Sequence, residues 1–211
     1  MMIRFLPWEP PGDPRFLGLR LLLLGESHYE EEHWKDSDGL SPNHTRDIVG
    51  DWGAAPTGRQ MFFANIYTLL TGQPWRLDAS DHAGTWASVY FYNYVQRLVP
   101  GGARHRPTLE MWKCAEAPFL EVLERIRPDV ILVLGEALWQ NMPDGAGLLR
   151  TEPDALGKVY GYRLAGGGTV QAAHVYHPSS GRLRATATHQ RLLRFLEGVR
   201  PTAPAVATMM S

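Results

Sequence analysis

The hydrophobic residues of this 211-residue chain are bunched into short aliphatic runs separated by stretches of helical periodicity. Leu17 to Leu24 is the first run; it ends at Gly25 and predicts a strand buried on both faces. From Gly58 to Leu70, Met61, Phe62, Asn65, Ile66 and Leu69 recur at helical spacing, with Thr57 placed to cap the helix and Gly72 to end it. Trp86 to Tyr92 predicts a second strand that delivers Asn93, and Arg97 to Pro107, rich in Gly, Pro and Arg, predicts a basic loop. Thr108 caps a longer helix reaching Ile126, whose inner face carries Leu109, Trp112, Ala115, Phe119, Val122, Leu123 and Ile126. Asp129 to Gly135 reads as the third buried strand, and Glu136 to Asn141 as a short helix. Lys158 to Leu164 and Thr169 to Tyr176 flank Ala165-Gly166-Gly167-Gly168 as a hairpin, and a last helix spans Thr186 to Val199. The order β, α, β, α, β, β, α predicts an α/β protein, a three-layer α/β/α sandwich around a small, mostly parallel central sheet.

Composition narrows this. With 44% hydrophobic residues and seven Trp, the length suits one domain, residues 1–200, followed by a flexible tail over 201–211. The single cysteine, Cys114, excludes a disulfide framework and any four-thiolate metal or iron–sulfur site, and suits a reducing cytoplasm. No run is long enough for a membrane span and the N-terminus lacks a signal-peptide core, so the expectation is a cytoplasmic monomer with no membrane partner. Net charge is −1, but it is unevenly placed: five Arg stand against Glu197 between Tyr176 and Arg200. From His28 to Asp51, seven acids stand against Lys35 and Arg46. This is either two solvated faces or a site with one basic and one acidic lip.

The chemistry sits at two strand ends. Leu21-Leu22-Leu23-Leu24-Gly25-Glu26-Ser27-His28-Tyr29 and Ala173-His174-Val175-Tyr176-His177-Pro178-Ser179-Ser180-Gly181-Arg182 each run from apolar strand into reactive residues. Carboxyl ends of parallel strands converge on one crevice, so the pair predicts a split site with Glu26 or Ser27 facing His177. His28 and His33 among acids raise the alternative of a metal site, but their spacing is irregular and a solvated acidic loop fits better; no metal or cofactor is expected.

Taken with Asn93, these motifs resemble the uracil-DNA glycosylase superfamily, over roughly Leu17 to Leu196. There, a first strand ends in a Gly-led motif, here Gly25-Glu26-Ser27-His28-Tyr29. A second carries an Asn, here Asn93. A further aliphatic strand ends in Gly, here Val130 to Gly135, and the last ends in His-Pro-Ser, here His177-Pro178-Ser179. The resemblance implies hydrolysis of the N-glycosidic bond of uracil or a related damaged base in single- or double-stranded DNA. It assigns His177 to the base O2, Glu26 to water or the sugar cation, and Asn93 to the O4 and N3–H edge. Phe62 or Phe63, with Phe63 preferred, would stack on the base, with Tyr29 crowding C5 and Ser27 in contact. Ser179, Arg182 and Arg184 would hold phosphate and Leu183 fill the duplex gap. This chain departs from the pattern at Ser27, where many members carry Asp or Asn, and at His28, where Pro is usual.

Two other readings stay open. A base-binding module of the same fold would bind without turnover. A small esterase is suggested by the resemblance of Gly25-Glu26-Ser27 to a Gly-Asp-Ser nucleophile block, with Ser27 as nucleophile and His177 as base, although His174 stands where that class has its triad Asp.

Overall fold

The computed structural model describes residues 3–30, 39–78, 80–102 and 105–199. Its centre is a six-stranded sheet. The parallel part comprises β1 (Leu21–Gly25), β3 (Tyr90–Asn93), β5 (Val130–Leu134) and β8 (Thr169–Val175). An antiparallel edge is added by β7 (Gly157–Arg163) and β6 (Leu148–Glu152), giving the order β3-β1-β5-β8-β7-β6. A separate two-stranded ladder pairs β2 (His28–Tyr29) with β4 (Leu98–Val99).

The aliphatic runs are continuous because both faces of the sheet are covered. Leu21 and Leu23 point into a cluster with Ile66 and Leu69 of α2 (Met61–Thr71), Trp86 of α3 (His82–Ala87), and Leu192 and Phe195 of α6 (Ala185–Glu197). Leu22 and Leu24 point the other way, onto Phe119, Val122 and Leu123 of α4 (Leu109–Ile126) and Leu138 of α5 (Glu136–Asn141). The protein is therefore an α/β sandwich with helices on both sides of a mostly parallel sheet. No helix among the described residues is long and apolar enough to cross a membrane.

Several elements differ from the sequence expectation. Trp86 lies in α3, not in a strand, and the strand begins only at Tyr90; Trp8 Nε1 donates to Trp86 O at 2.9 Å and ties this corner to the N-terminal segment. β1 starts at Leu21, because Leu17 sits at φ 52° in an exposed turn. Thr57 does not cap α2, whose N-cap is the extended Gln60, whereas Gly72 ends it as expected at φ 72°. Thr108 does cap α4, accepting from Met111 N, but Leu109, as the first helical residue, is 66% exposed and not on the inner face. The edge strand β6, the helix α1 (His44–Val49) and the π-helical turn over Gly50–Ala54 were not expected. The anticipated tail from Pro201 onward lies outside the described residues.

Candidate functional site

Sheet register assembles the site. Gly25 pairs with Asn93, and Leu134 of β5 pairs with Val175 of β8, so Glu26, Asn93, Gly135 and His177 emerge at one carboxyl edge. The chain leaves β1 toward β3 on one side and leaves β5 toward β8 on the other, which opens a crevice between them. A cavity of about 510 Å³ fills this place, lined by Glu26, Ser27, Tyr29, Asn93 and His177 from the strand ends and by Phe62 and Phe63 from α2.

Glu26 is 3% exposed. Arg106 Nη1 bridges both its oxygens, at 3.1 and 2.9 Å, and Tyr29 Oη donates to Oε1 at 3.4 Å. The Arg106 side chain is itself 67% exposed, so one pole of the pair is dry and the other wet. Burial, then the negative charge of Glu26, pushes the Tyr29 phenol up. Ser27 Oγ lies near that phenol but completes no well-formed hydrogen bond among the described residues.

Asn93 is buried and braced on three sides. Its Oδ1 lies over Gly25, where any Cβ would overlap it. Its Nδ2 lies 3.1 and 3.3 Å from the two ring nitrogens of His28, which in turn meets Thr45 Oγ1 through Nε2 at 2.8 Å. Burial, with the nearby charge of His44, pushes the His28 imidazole down to about 3, so the ring is neutral and free to accept from the amide. Gln96 Nε2 donates to Asn93 O at 2.7 Å while its Oε1 receives the N–H groups of Arg4 and Phe5, tying the N-terminal segment to this strand end.

His177 is held on the opposite wall. Ser179 N–H donates to its Nδ1 at 3.2 Å, and burial together with the positive charge of Arg106 lowers the imidazole to about 4. The neutral ring thus carries its proton on Nε2, which leaves a donor for a ligand. Behind it stands Gly135 at φ 144°, a conformation that favours glycine, where an added Cβ would touch His177 Cβ at 3.6 Å. Asn65 Nδ2 of α2 donates to Pro178 O at 2.6 Å and Ser180 N–H to His177 O at 2.8 Å, fixing the loop that follows.

No protein-family model matches the chain, and no curated protein sequence matches it.

Of the residues singled out in the sequence, Glu26, Ser27, Tyr29, Phe63, Asn93, His177 and Ser179 all line the cavity. Phe63 is 7% exposed and packs against Trp86 with ring centroids 5.5 Å apart; the half-buried Phe62 is the aromatic beside His177, at 5.3 Å. Arg182 and Arg184 are exposed on the following loop. Leu183, expected to project as a wedge, instead turns inward at 9% exposure and joins the core, because its N–H closes a turn onto Ser180 O. His28 serves Asn93; its suggested metal partner His33 lies outside the described residues, and no metal-holding group of His, Cys, Asp and Glu occurs among the described ones. His174, in the esterase comparison, pairs with Glu136 at 2.8 Å and stacks on Trp139. Arg106 and Asn65 were missed. Arg106 sits in the basic loop recognised from the sequence, but a contact across 80 residues has no local signal.

Proposed function

We propose that this protein is a DNA N-glycosylase of the uracil-DNA glycosylase type, which draws an unpaired uracil or related base into the cavity and hydrolyses its bond to the sugar. The observation that carries this reading is the pairing, in one cavity, of a braced carboxamide at Asn93 with a neutral imidazole at His177 whose Nε2–H is available. An amide presents a donor and an acceptor side by side, which suits the O4 and N3–H edge of uracil and mismatches cytosine. When the C1′–N1 bond breaks, its electron pair goes to the base and negative charge collects on O2. A fixed neutral donor at His177 would stabilise that charge without itself giving up a proton. Water oxygen bonds to C1′, and its proton leaves to solvent or to the departing base. Phe62, against His177, offers a ring face for stacking.

One observation favours binding without turnover as a second reading: Arg106 engages both Glu26 oxygens, and Ser27 brings no charge to replace them. The esterase reading draws less support. A base that takes a proton from Ser27 needs a bare Nε2, whereas here Nδ1 is the acceptor, and among the described residues no hydrogen bond joins Ser27 to His177.

Incubation with uracil-containing oligonucleotides, followed by alkali to cut abasic sites, tests the proposal. Wild type should yield breaks, and His177→Ala should lower the rate on the order of a hundredfold or more. Breaks should fall likewise in Glu26→Ala. A blank in wild type with intact binding would leave the base-binding module.

A further inference from the structure

Resting on the reading above, the geometry points to an unpaired base in a single strand, not a duplex, as the form of DNA this site takes. An enzyme that extrudes a base from a duplex must fill the gap it leaves, which is done by an apolar side chain standing proud beside the pocket. The loop after His177 presents none. Ser179 and Ser180, both small and polar, line the cavity, and Ser180 Oγ accepts from Arg182 N–H at 3.1 Å. Gly181, next along, faces open space, with nothing within 4 Å of where a Cβ would be. Leu183, the first apolar residue after Pro178, is committed to the core.

What the same strand end does present is a stacking surface. Tyr176, immediately before His177, is 44% exposed, an unusual setting for a large ring at the end of a buried strand. The Arg182 guanidinium stands over its ring, 5.8 Å from the centroid, so the loop folds back to place a cation beside a ring that is still 44% exposed. A ring with an adjacent cation holds a neighbouring base by its π face and the strand by its phosphate. Bases in a duplex are already stacked and cannot use it. The whole-chain charge of −1 adds no general attraction to the denser charge of duplex DNA, so the local contacts decide.

Fluorescence anisotropy with a labelled oligonucleotide containing one uracil, free and then annealed to its complement, tests this. The single strand should bind at least about tenfold more tightly. Tyr176→Ala should weaken single-strand binding on the order of ten- to a hundredfold and leave duplex binding unchanged; the side chain is exposed, so the variant keeps its fold. Met61, 47% exposed at the start of α2, is a rival wedge among the described residues. Equal or tighter duplex binding, and above all duplex binding lost in Met61→Ala, overturns the proposal. So does failure to bind either form, or indifference to Tyr176→Ala. Abasic sites counted in the same samples separate the two ideas: tight single-strand binding with no base release upholds the strand preference and sinks the hydrolase.

Discussion

Gly25→Ala is the sharpest perturbation of the pocket. Gly25 lies in a regular strand whose backbone any residue adopts, so the effect of the substitution is crowding and not torsional strain. The new methyl group would overlap Asn93 Oδ1 outright and stand 2.9 Å from Phe91 Cζ and 3.4 Å from Asn93 Cγ. Asn93 cannot retreat as a whole, because its Cα is paired with Gly25 and its carbonyl is held by Gln96. The amide must rotate by about 1 Å or more at its oxygen, at an off-rotamer cost of about 1 kcal/mol. It also gives up its contact with His28, about another 1 kcal/mol. A loss of about 2 kcal/mol in stability follows, well short of unfolding a typical domain. Function should suffer far more, since misplacing a positioning group by about 1 Å costs on the order of a hundredfold in rate. Thermal denaturation alongside uracil release would show a small drop in Tm with a loss close to that of Asn93→Ala. The double variant should be no worse than either alone, because both remove the same interaction. A folded Gly25→Ala protein that releases or binds uracil at the wild-type level, or losses that simply add, would refute the argument that Asn93 is read in this pose.

Arg106→Gln removes one of the two causes that lower His177, so the acid limb of the activity profile should move toward higher pH; the same limb in both proteins would mean that Arg106 is not felt at the imidazole. Acid should also weaken the fold. His177 is lowered to about 4 and His28 to about 3, so the folded state binds fewer protons than the unfolded chain below about 6.5. Stability present above pH 6.5 is lost as the pH falls toward 4 and then 3, by about 3 kcal/mol at most for His177 and somewhat more for His28. Denaturant midpoints that stay level from pH 7 to 4.5 would contradict this.

The strand ends were legible because the strands are buried on both faces: an aliphatic run such as Val130 to Leu134 admits few alternatives, and the polar residue that stops it must lie at the sheet's edge. The same reasoning misplaced Trp86. Its run of aromatic and β-branched neighbours reads as strand, but the turn from α3 into β3 is set by the packing of Trp86 against Phe63 and Phe91, which no local pattern reveals. Phe62 and Phe63 could not be told apart for a related reason: which of two adjacent helical residues faces the site depends on how α2 is docked, and α2 is docked by Asn65 on Pro178 and by His189 on Leu69. β6 escaped notice because Leu148-Leu149-Arg150-Thr151-Glu152 is an edge strand with neither alternation nor burial. Leu183 misled in the opposite direction. A leucine among arginines in a loop looks exposed, and only the turn closed on Ser180 shows that it faces inward.

The Glu26–Arg106 pair can be read as an oriented dipole, and the two neighbouring titratable groups report its direction. At His177 the partner felt is Arg106, whose positive charge helps to hold the imidazole neutral. At Tyr29 the larger charge felt is that of Glu26, which opposes phenol ionisation more than Arg106 favours it. The cavity therefore has a positive side at His177 and a negative side at Glu26 and Tyr29. Cleaving an N-glycosidic bond separates charge in the same sense, negative on the base and positive on the sugar. A base beside His177 with its sugar toward Glu26 would have that separation stabilised at both ends by one ion pair. Solvent weights the two ends unequally: the guanidinium is mostly exposed and screened while the carboxylate is almost wholly buried and is not, so the field is stronger at the sugar end. On this account the occupied carboxylate is no obstacle to turnover: Glu26 acts through its field, and the loss in Arg106→Gln should appear in kcat more than in KM.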